Sequence, residues 1–511
     1  MPRTSRPLVL AAALLVLVSM LWTPAAAEPL SLTLVHVNDW DRMEGIDGRG
    51  GAAKIAAVVS EERARARAEG GAVIVTFGGD MISPSMLSGL DRGEHMIELA
   101  NAIGFDIAVL GNHEFDFGPD VLAERLAESK AQWLAGNVRY KGSAAFPGTK
   151  ATAMMELEGY RIGFLGLVTP LTAKISSPGK DVAFAPFAET GTALAAELRE
   201  AGADLVVALT HNDLAQDLEL LRVSGGIDAV LGGHDHLALA WYDGRQTVLK
   251  AGSQGAYVGV LRLTLDRAED RRGNVRPVWT PDYELRSTEG VKGQPALARA
   301  VEKRRKQLDS SLDIAVGRTT TELDTRRASV RSGENAFGNL VADAMRIAVG
   351  AEAALTNGGG IRGDTVYPAG SDITGKLVLT ELPFGNRTVK LALSGAVIRE
   401  ALEHGVSDVE NTSGAFPHVS GLTFSFDASR PKGGRIVEVF VGGAPLEDGR
   451  TYTLATNDFL ARGGDRYAMF EGAERRVDAK DASFMAAHVM EFVEAAGTVS
   501  PAVEGRIVRL D

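Results

Sequence analysis

Five times in the first half of the chain, an apolar run ends in a short cluster of carboxylate, amide or imidazole side chains. The clusters are Asn38-Asp39-Trp40-Asp41, Gly78-Gly79-Asp80, Gly111-Asn112-His113-Glu114-Phe115-Asp116, Thr210-His211-Asn212-Asp213 and Gly232-Gly233-His234-Asp235-His236. The runs before them, 30–38, 72–77, 107–110, 205–209 and 229–231, are strand-like, and 161–168 reads the same way. Helical stretches, 52–67, 97–102, 119–128 and 192–200, lie between most of them. Alternating strands and helices predict an α/β layered domain. Polar residues just beyond such strands occupy the edge where ligands bind.

A single Gly-Asp or His-Asp-His is an ordinary turn. Five clusters at comparable strand ends are a joint signal. On an extended segment residues i and i+2 point the same way, so Asp-x-Asp and His-x-His can address one point. The chain has no cysteine, which excludes disulfides and thiolate ligands. Any metal is therefore held by nitrogen and oxygen, a donor set suited to Mn, Zn, Mg or Co. The formal net charge is −12 and no basic patch stands out, which argues against nucleic acid as a partner. An acidic protein that handles anions must concentrate positive charge locally.

The series Gly-Gly-Asp, Gly-Asn-His-Glu-Phe-Asp, Leu-Thr-His and Gly-Gly-His-x-His, following Asn-Asp, resembles the calcineurin-like metallophosphoesterases, specifically the secreted 5′-nucleotidase/UDP-sugar hydrolase family. The resemblance spans nearly all of the chain beyond residue 27. It implies a layered β-sandwich phosphoesterase domain flanked by helices, a linker helix, and a second α/β substrate-binding domain. The expected boundaries are 1–27 for a signal peptide, 28–290, 291–313 and 314–511. Two divalent cations are implied. Asp39, Asp80 and His236 would hold one, and Asp80, Asn112, His211 and His234 the other. His113 and Asp116 would be the catalytic pair. The family has Asp-x-His in its first cluster, and here Asp41 replaces the histidine. As a ligand, Asp41 would harden the site toward Mn or Mg. Otherwise one metal binds weakly. The implied chemistry is metal-assisted hydrolysis of a phosphate ester.

The region after the charged 294–309 stretch carries three further features. These are Arg331 upstream of Gly338-Asn339-Leu340, the run Asn357-Gly358-Gly359-Gly360-Ile361-Arg362, and Phe384 and Phe459 on separate Gly-containing loops with Asp465 beyond. A Gly run ending in Arg admits a ligand close to the backbone and adds a fixed cation. Two phenyl rings could sandwich a flat base, and an Asp could accept from ribose hydroxyls. Each feature alone is also explained by a turn, a core residue or a local ion pair. The family resemblance implies phosphate contacts from Arg331 and Arg362, a polar contact from Asn357, base stacking by Phe384 and Phe459, and ribose recognition by Asp465. It also implies that this domain rotates to bring substrate to the metals.

Arg3 and Arg6, the apolar 8–22 run and Ala25-Ala26-Ala27 read as an export signal, hence a periplasmic or secreted protein without a membrane anchor after cleavage. The expected partner is a small nucleotide, and the expected state a monomer or homodimer. Histidines 36, 95, 404, 418 and 488 lie apart from the ligand positions and read as structural or surface residues. Competing readings are a 2′,3′-cyclic-nucleotide phosphodiesterase/3′-nucleotidase, a thiosulfohydrolase, which would need no base sandwich, and a non-catalytic nucleotide binder.

Overall fold

The computed structural model describes residues 28–511 apart from Met86 and Ser143; the expected signal peptide lies outside the described residues. The first domain is built on two sheets. In the seven-stranded sheet, Leu30–Val37 lies between Tyr257–Glu269, which it pairs antiparallel, and Ala72–Phe77, which it pairs parallel. In the six-stranded sheet, Tyr160–Val168, Leu205–Asn212, Ala229–His234 and Thr247–Ala251 run parallel.

These strands are apolar on both faces because both faces are covered. Leu30, Leu32 and Leu34 point toward the other sheet and meet Leu205, Val207 and Leu209 in one core. The alternate residues Val35 and Val37 point outward onto the helix Ala52–Ala68. Val206 and Ala208 likewise pack under the helices Phe187–Glu200 and Leu214–Ser224. A sandwich with helices on both outer faces results.

Strand register then places the polar clusters. Val37 sits opposite Phe77 and Phe77 opposite Ala108, while His211 sits opposite Gly233. The first three clusters therefore emerge beside one another from one sheet, and the last two from the other.

The helix Pro295–Ser311 follows. Its Leu297, Val301 and Leu308 enter the core around Ala52–Ala68. The basic run at 303–306 reads in sequence as a solvated face, but Arg304 turns inward to Glu94 at 3.1 Å and Glu98 at 3.3 Å. The second domain has a five-stranded sheet, ordered Pro417–Ser420, Ala353–Asn357, Thr451–Asn457, Thr388–Ser394, Glu474–Val477. The helices Ala336–Ala348 and Met485–Ala496 cover one face, and Gly395–Val406 covers the other. No helix among the described residues is long and apolar enough to cross a membrane.

Candidate metal centre and nucleotide pocket

The backbone bends sharply where the strands end. Asp39, Asp80, His234 and His236 have φ of 50°, 64°, 82° and 57°, left-handed values that non-glycine residues seldom adopt and that Asn, Asp and His tolerate best. Gly79 is required beside them. Its φ is 89°, and a Cβ there would lie 2.5 Å from His211 Nδ1.

These turns bring the expected ligands together. Acceptor and imidazole atoms of Asp39, Asp80 and His211 lie within 4.8 Å of one another. His211 Nε2 is 3.0 Å from Asp80 Oδ2, and His236 Nε2 is 3.2 Å from Asp39 Oδ1. Asn112 Oδ1 stands 3.2 Å from His211 Nε2 and 3.1 Å from His234 Nδ1. Asp41 is buried; one of its oxygens accepts from Gln254 and the other has no partner. His234 Nε2 is also buried and unpartnered. Unpaired polar atoms of this kind are costly unless something fills the space between them. The donor set is carboxylate, amide and imidazole, and it fits divalent cations.

Electrostatics agree with the geometry. Burial disfavours the charge of Asp39, but His236, His211 and Asn38 more than offset this and hold its carboxyl below the usual range. Burial likewise opposes a proton on His211, yet Asp80 and Asp39 push its pKa up to about 9. A cation would take that proton's place, since a ligating imidazole must be neutral. Burial, then the nearby charges of His211 and Lys480, drive the pKa of His234 well below normal.

His113 Nδ1 is 2.6 Å from Asp116 Oδ2, and Ser176 Oγ donates to Asp116 Oδ1 at 2.7 Å. Burial works against the imidazolium, but Asp116 and Asp80 raise its pKa to about 10, the direction that favours a proton on His113. The pair is capped from the second domain. Lys480 O accepts from His113 Nε2 at 3.3 Å, Ser483 Oγ lies 3.4 Å from Asp116 Oδ2, and Lys480 Nζ pairs with Asp213 at 2.8 Å.

The second domain holds a cavity of about 380 Å³, lined by Arg331, Asn357, Arg362, Phe384, Phe459 and Asp465 among others. All six residues expected to bind substrate therefore share one pocket, and none of the metal-site residues lines it. Asn357 Nδ2 donates to Asp465 Oδ2 at 2.7 Å. The Arg362 guanidinium lies 5.4 Å from the centre of the Phe384 ring. Burial, then Arg327 and Arg362, make the charge of Arg331 harder to hold, a cost that a bound anion would offset.

Several residues that the sequence reading gave no role support these groups. Glu114 accepts from the backbone N–H of Asp80 at 2.9 Å and of Met81 at 2.6 Å, fixing the Asp80 turn. Asn38 Nδ2 donates to Asp39 Oδ2 at 2.6 Å. His404, isolated in sequence, lies with Nε2 2.7 Å from Asp465 O and so braces the pocket.

Comparison with known proteins covers both halves. Residues 32–238 match the calcineurin-like phosphoesterase family, and residues 315–472 match the 5′-nucleotidase C-terminal domain. The human 5′-nucleotidase is 28% identical, over 97% of this chain and 93% of that one. The trifunctional nucleotide phosphoesterase protein of Bacillus subtilis (strain 168) is 31% identical over 85% of this chain, which spans only 32% of its length. The crystal structure of a 5′-nucleotidase precursor from Thermus thermophilus is 30% identical, with a TM-score of 0.54, covering 94% of this chain and 100% of that one. The NAD nucleotidase of Haemophilus influenzae, at 21% identity and a TM-score of 0.80, shares the fold over 95% of this chain and 100% of that one. With a buried carboxylate–imidazole cradle in one domain and an arginine-and-phenyl pocket in the other, this chain belongs to the 5′-nucleotidase family of calcineurin-like phosphoesterases, metal-dependent hydrolases of phosphoric monoesters.

Proposed function

We propose that the protein hydrolyses 5′-nucleotides to nucleosides and phosphate, acting outside the cytoplasm. The observation that carries this reading is the pocket in which Arg331, Asn357, Arg362, Phe384, Phe459 and Asp465 converge, on the same chain as the cradle. Phe384 and Phe459 take the base between them, Asp465 accepts from the ribose hydroxyls, and Arg331 and Arg362 hold phosphate.

Asp39, Asp41, Asp80 and His236 would hold one cation, and Asp80, Asn112, His211 and His234 would hold the other. When bound, the cations supply Lewis acidity toward phosphoryl oxygens and lower the pKa of water. His113, kept protonated and oriented by Asp116, donates to the phosphoryl group or the departing oxygen. In the present arrangement the segment 478–484, not the nucleotide pocket, covers His113 and Asp116. Turnover therefore requires the second domain to turn, carrying bound nucleotide to the cradle. UDP-sugars and dinucleotides extend the substrate class, because Phe384 and Arg362 are exposed and leave that side of the pocket open. The leader-like stretch at 8–22 and Ala25-Ala26-Ala27 support export.

The test is hydrolysis, followed by chromatography of the products as well as by phosphate release, by metal-stripped protein resupplied with Mn²⁺, Zn²⁺, Mg²⁺ or Co²⁺. The panel contains 5′-, 3′- and 2′,3′-cyclic nucleotides, UDP-glucose and NAD. Metal-dependent turnover of 5′-nucleotides is expected. Preferential turnover of the cyclic compounds would move the assignment to a phosphodiesterase. Nucleotide binding without turnover under any metal would make the protein a binder.

A further inference from the structure

A lysine not used in the chemistry above lies beneath the two histidine-bearing strand ends. Lys250, on the strand Thr247–Ala251, is completely buried and sits in register opposite Gly232. Its Nζ donates to Asn212 O at 2.6 Å and to Gly233 O at 2.9 Å. It also stands 3.1 Å from Asp235 Oδ2 and 3.0 Å from Asp217 Oδ2. An ammonium has three donors, and here four oxygens surround them.

The identity of the two carbonyls matters. Asn212 directly follows His211, and Gly233 directly precedes His234. Asp235 adds a second tie, because its Oδ2 also accepts from the Leu214 N–H at 2.8 Å, joining the two loops. The space is reserved for this group. A Cβ at position 232 would lie 3.0 Å from both Lys250 Cε and Asp217 Oδ2.

Burying an ammonium with two carboxylates is costly, and a well-packed hydrophobe is commonly at least as stable. A hydrophobe cannot fix the directions of two peptide carbonyls. The Gly233 carbonyl belongs to the peptide that leads into His234, and the Asn212 carbonyl lies one peptide beyond His211, so holding both fixes the strand ends from which the two imidazoles project; His234 needs fixing because its backbone is left-handed.

We propose that Lys250 is a positioning residue for the metal cradle, cross-bracing the strand ends that present His211 and His234. The inference rests on reading that cluster as the metal site. Groups that orient metal ligands typically change metal affinity or activity about 10–100-fold when altered.

The experiment uses the full-length protein, stripped of metal and titrated with Mn²⁺ alone by calorimetry. The kcat and KM for AMP are measured at saturating Mn²⁺, and melting is followed in parallel. The variants are K250M/D217N, which removes the brace and neutralises the fully buried Asp217 while Asp235 keeps the Leu214 N–H, and K250Q, which keeps an amide donor. The double variant should bind Mn²⁺ about 10–100-fold more weakly and lose kcat while KM stays put. K250Q should fall between it and the wild type. A folded double variant with wild-type Mn²⁺ affinity overturns the proposal. Should the double variant not fold, K250Q decides: weaker Mn²⁺ binding at an unchanged melting temperature supports the brace, and unchanged binding overturns it. A wild-type protein that takes up no Mn²⁺ would remove the cradle reading and this inference together.

Discussion

In the first domain Asp39, Asp80, Asn112, His211 and His234 are all 4% exposed or less, with His236 at the open edge. In the second, Phe384 is 57% exposed and Phe459 37% exposed. The cradle is assembled in advance and held by partners such as Glu114 and Asn38. The pocket presents rings that gain burial only when a ligand arrives. A fixed charge arrangement speeds a reaction because it need not reorganise. A pocket that must accept and release different nucleotides does better with adaptable exposed surfaces. Removing a group should therefore cost turnover in the cradle and affinity in the pocket.

The strongest way to break that contrast is His113→Ala. It should lower kcat by about 10²–10⁴-fold, the usual span for a general acid, with KM for AMP nearly unchanged. A change confined to KM would place His113 in binding. Phe459→Ala should leave kcat alone and raise KM for AMP about tenfold, in line with ~1–3 kcal/mol for stacking on a base. Ribose 5-phosphate, which lacks a base, serves as the control, and an equal loss with it would show that Phe459 does not stack a base. Asp41→His should keep activity within about threefold and shift the preferred metal from Mn²⁺ toward Zn²⁺, following ligand softness. Abolished activity would mean that Gln254, which donates to Asp41, cannot accommodate an imidazole.

The smallest effect concerns acid, where the two regions should behave alike. Burial lowers the pKa of His36 in one domain and of His418 and His488 in the other to about 4. The unfolded chain then binds more protons than the folded one between about pH 6.5 and 4. Their contribution to stability is complete above that window and is lost as pH falls through it. In urea titrations from pH 7 to 4, His418→Gln should flatten the decline. An unchanged slope would show that His418 takes up its proton as readily in the folded chain as in the unfolded one.

What can be read from sequence is short-range. Asp80 follows Ala72–Phe77 within three residues, and His234 closes its own strand, so apolar runs and polar ends suffice to pick out the candidate ligands. The sandwich follows from strands apolar on both faces. Other supporting contacts are long-range and leave no local pattern. Gln254 reaches Asp41 across 213 residues, and Lys480 meets His113 across 367. His404 looks isolated because its partner Asp465 is 61 positions away. Arg304 reads as solvated for the same reason, since its acidic partners Glu94 and Glu98 lie on a helix far earlier in the chain.

Thirteen non-glycine residues among those described adopt left-handed backbone, and five of them, Asp39, Asp80, His234, His236 and Asp465, are candidate site residues. Each such conformation costs ~1–2 kcal/mol for an ordinary L-residue. Glycine at any of these positions would relieve that cost and lose the functional side chain. Selection for stability alone would thus erode the centre one position at a time. A screen on heat resistance alone should therefore favour glycine among all thirteen positions, and only at these five does that gain remove a candidate site side chain.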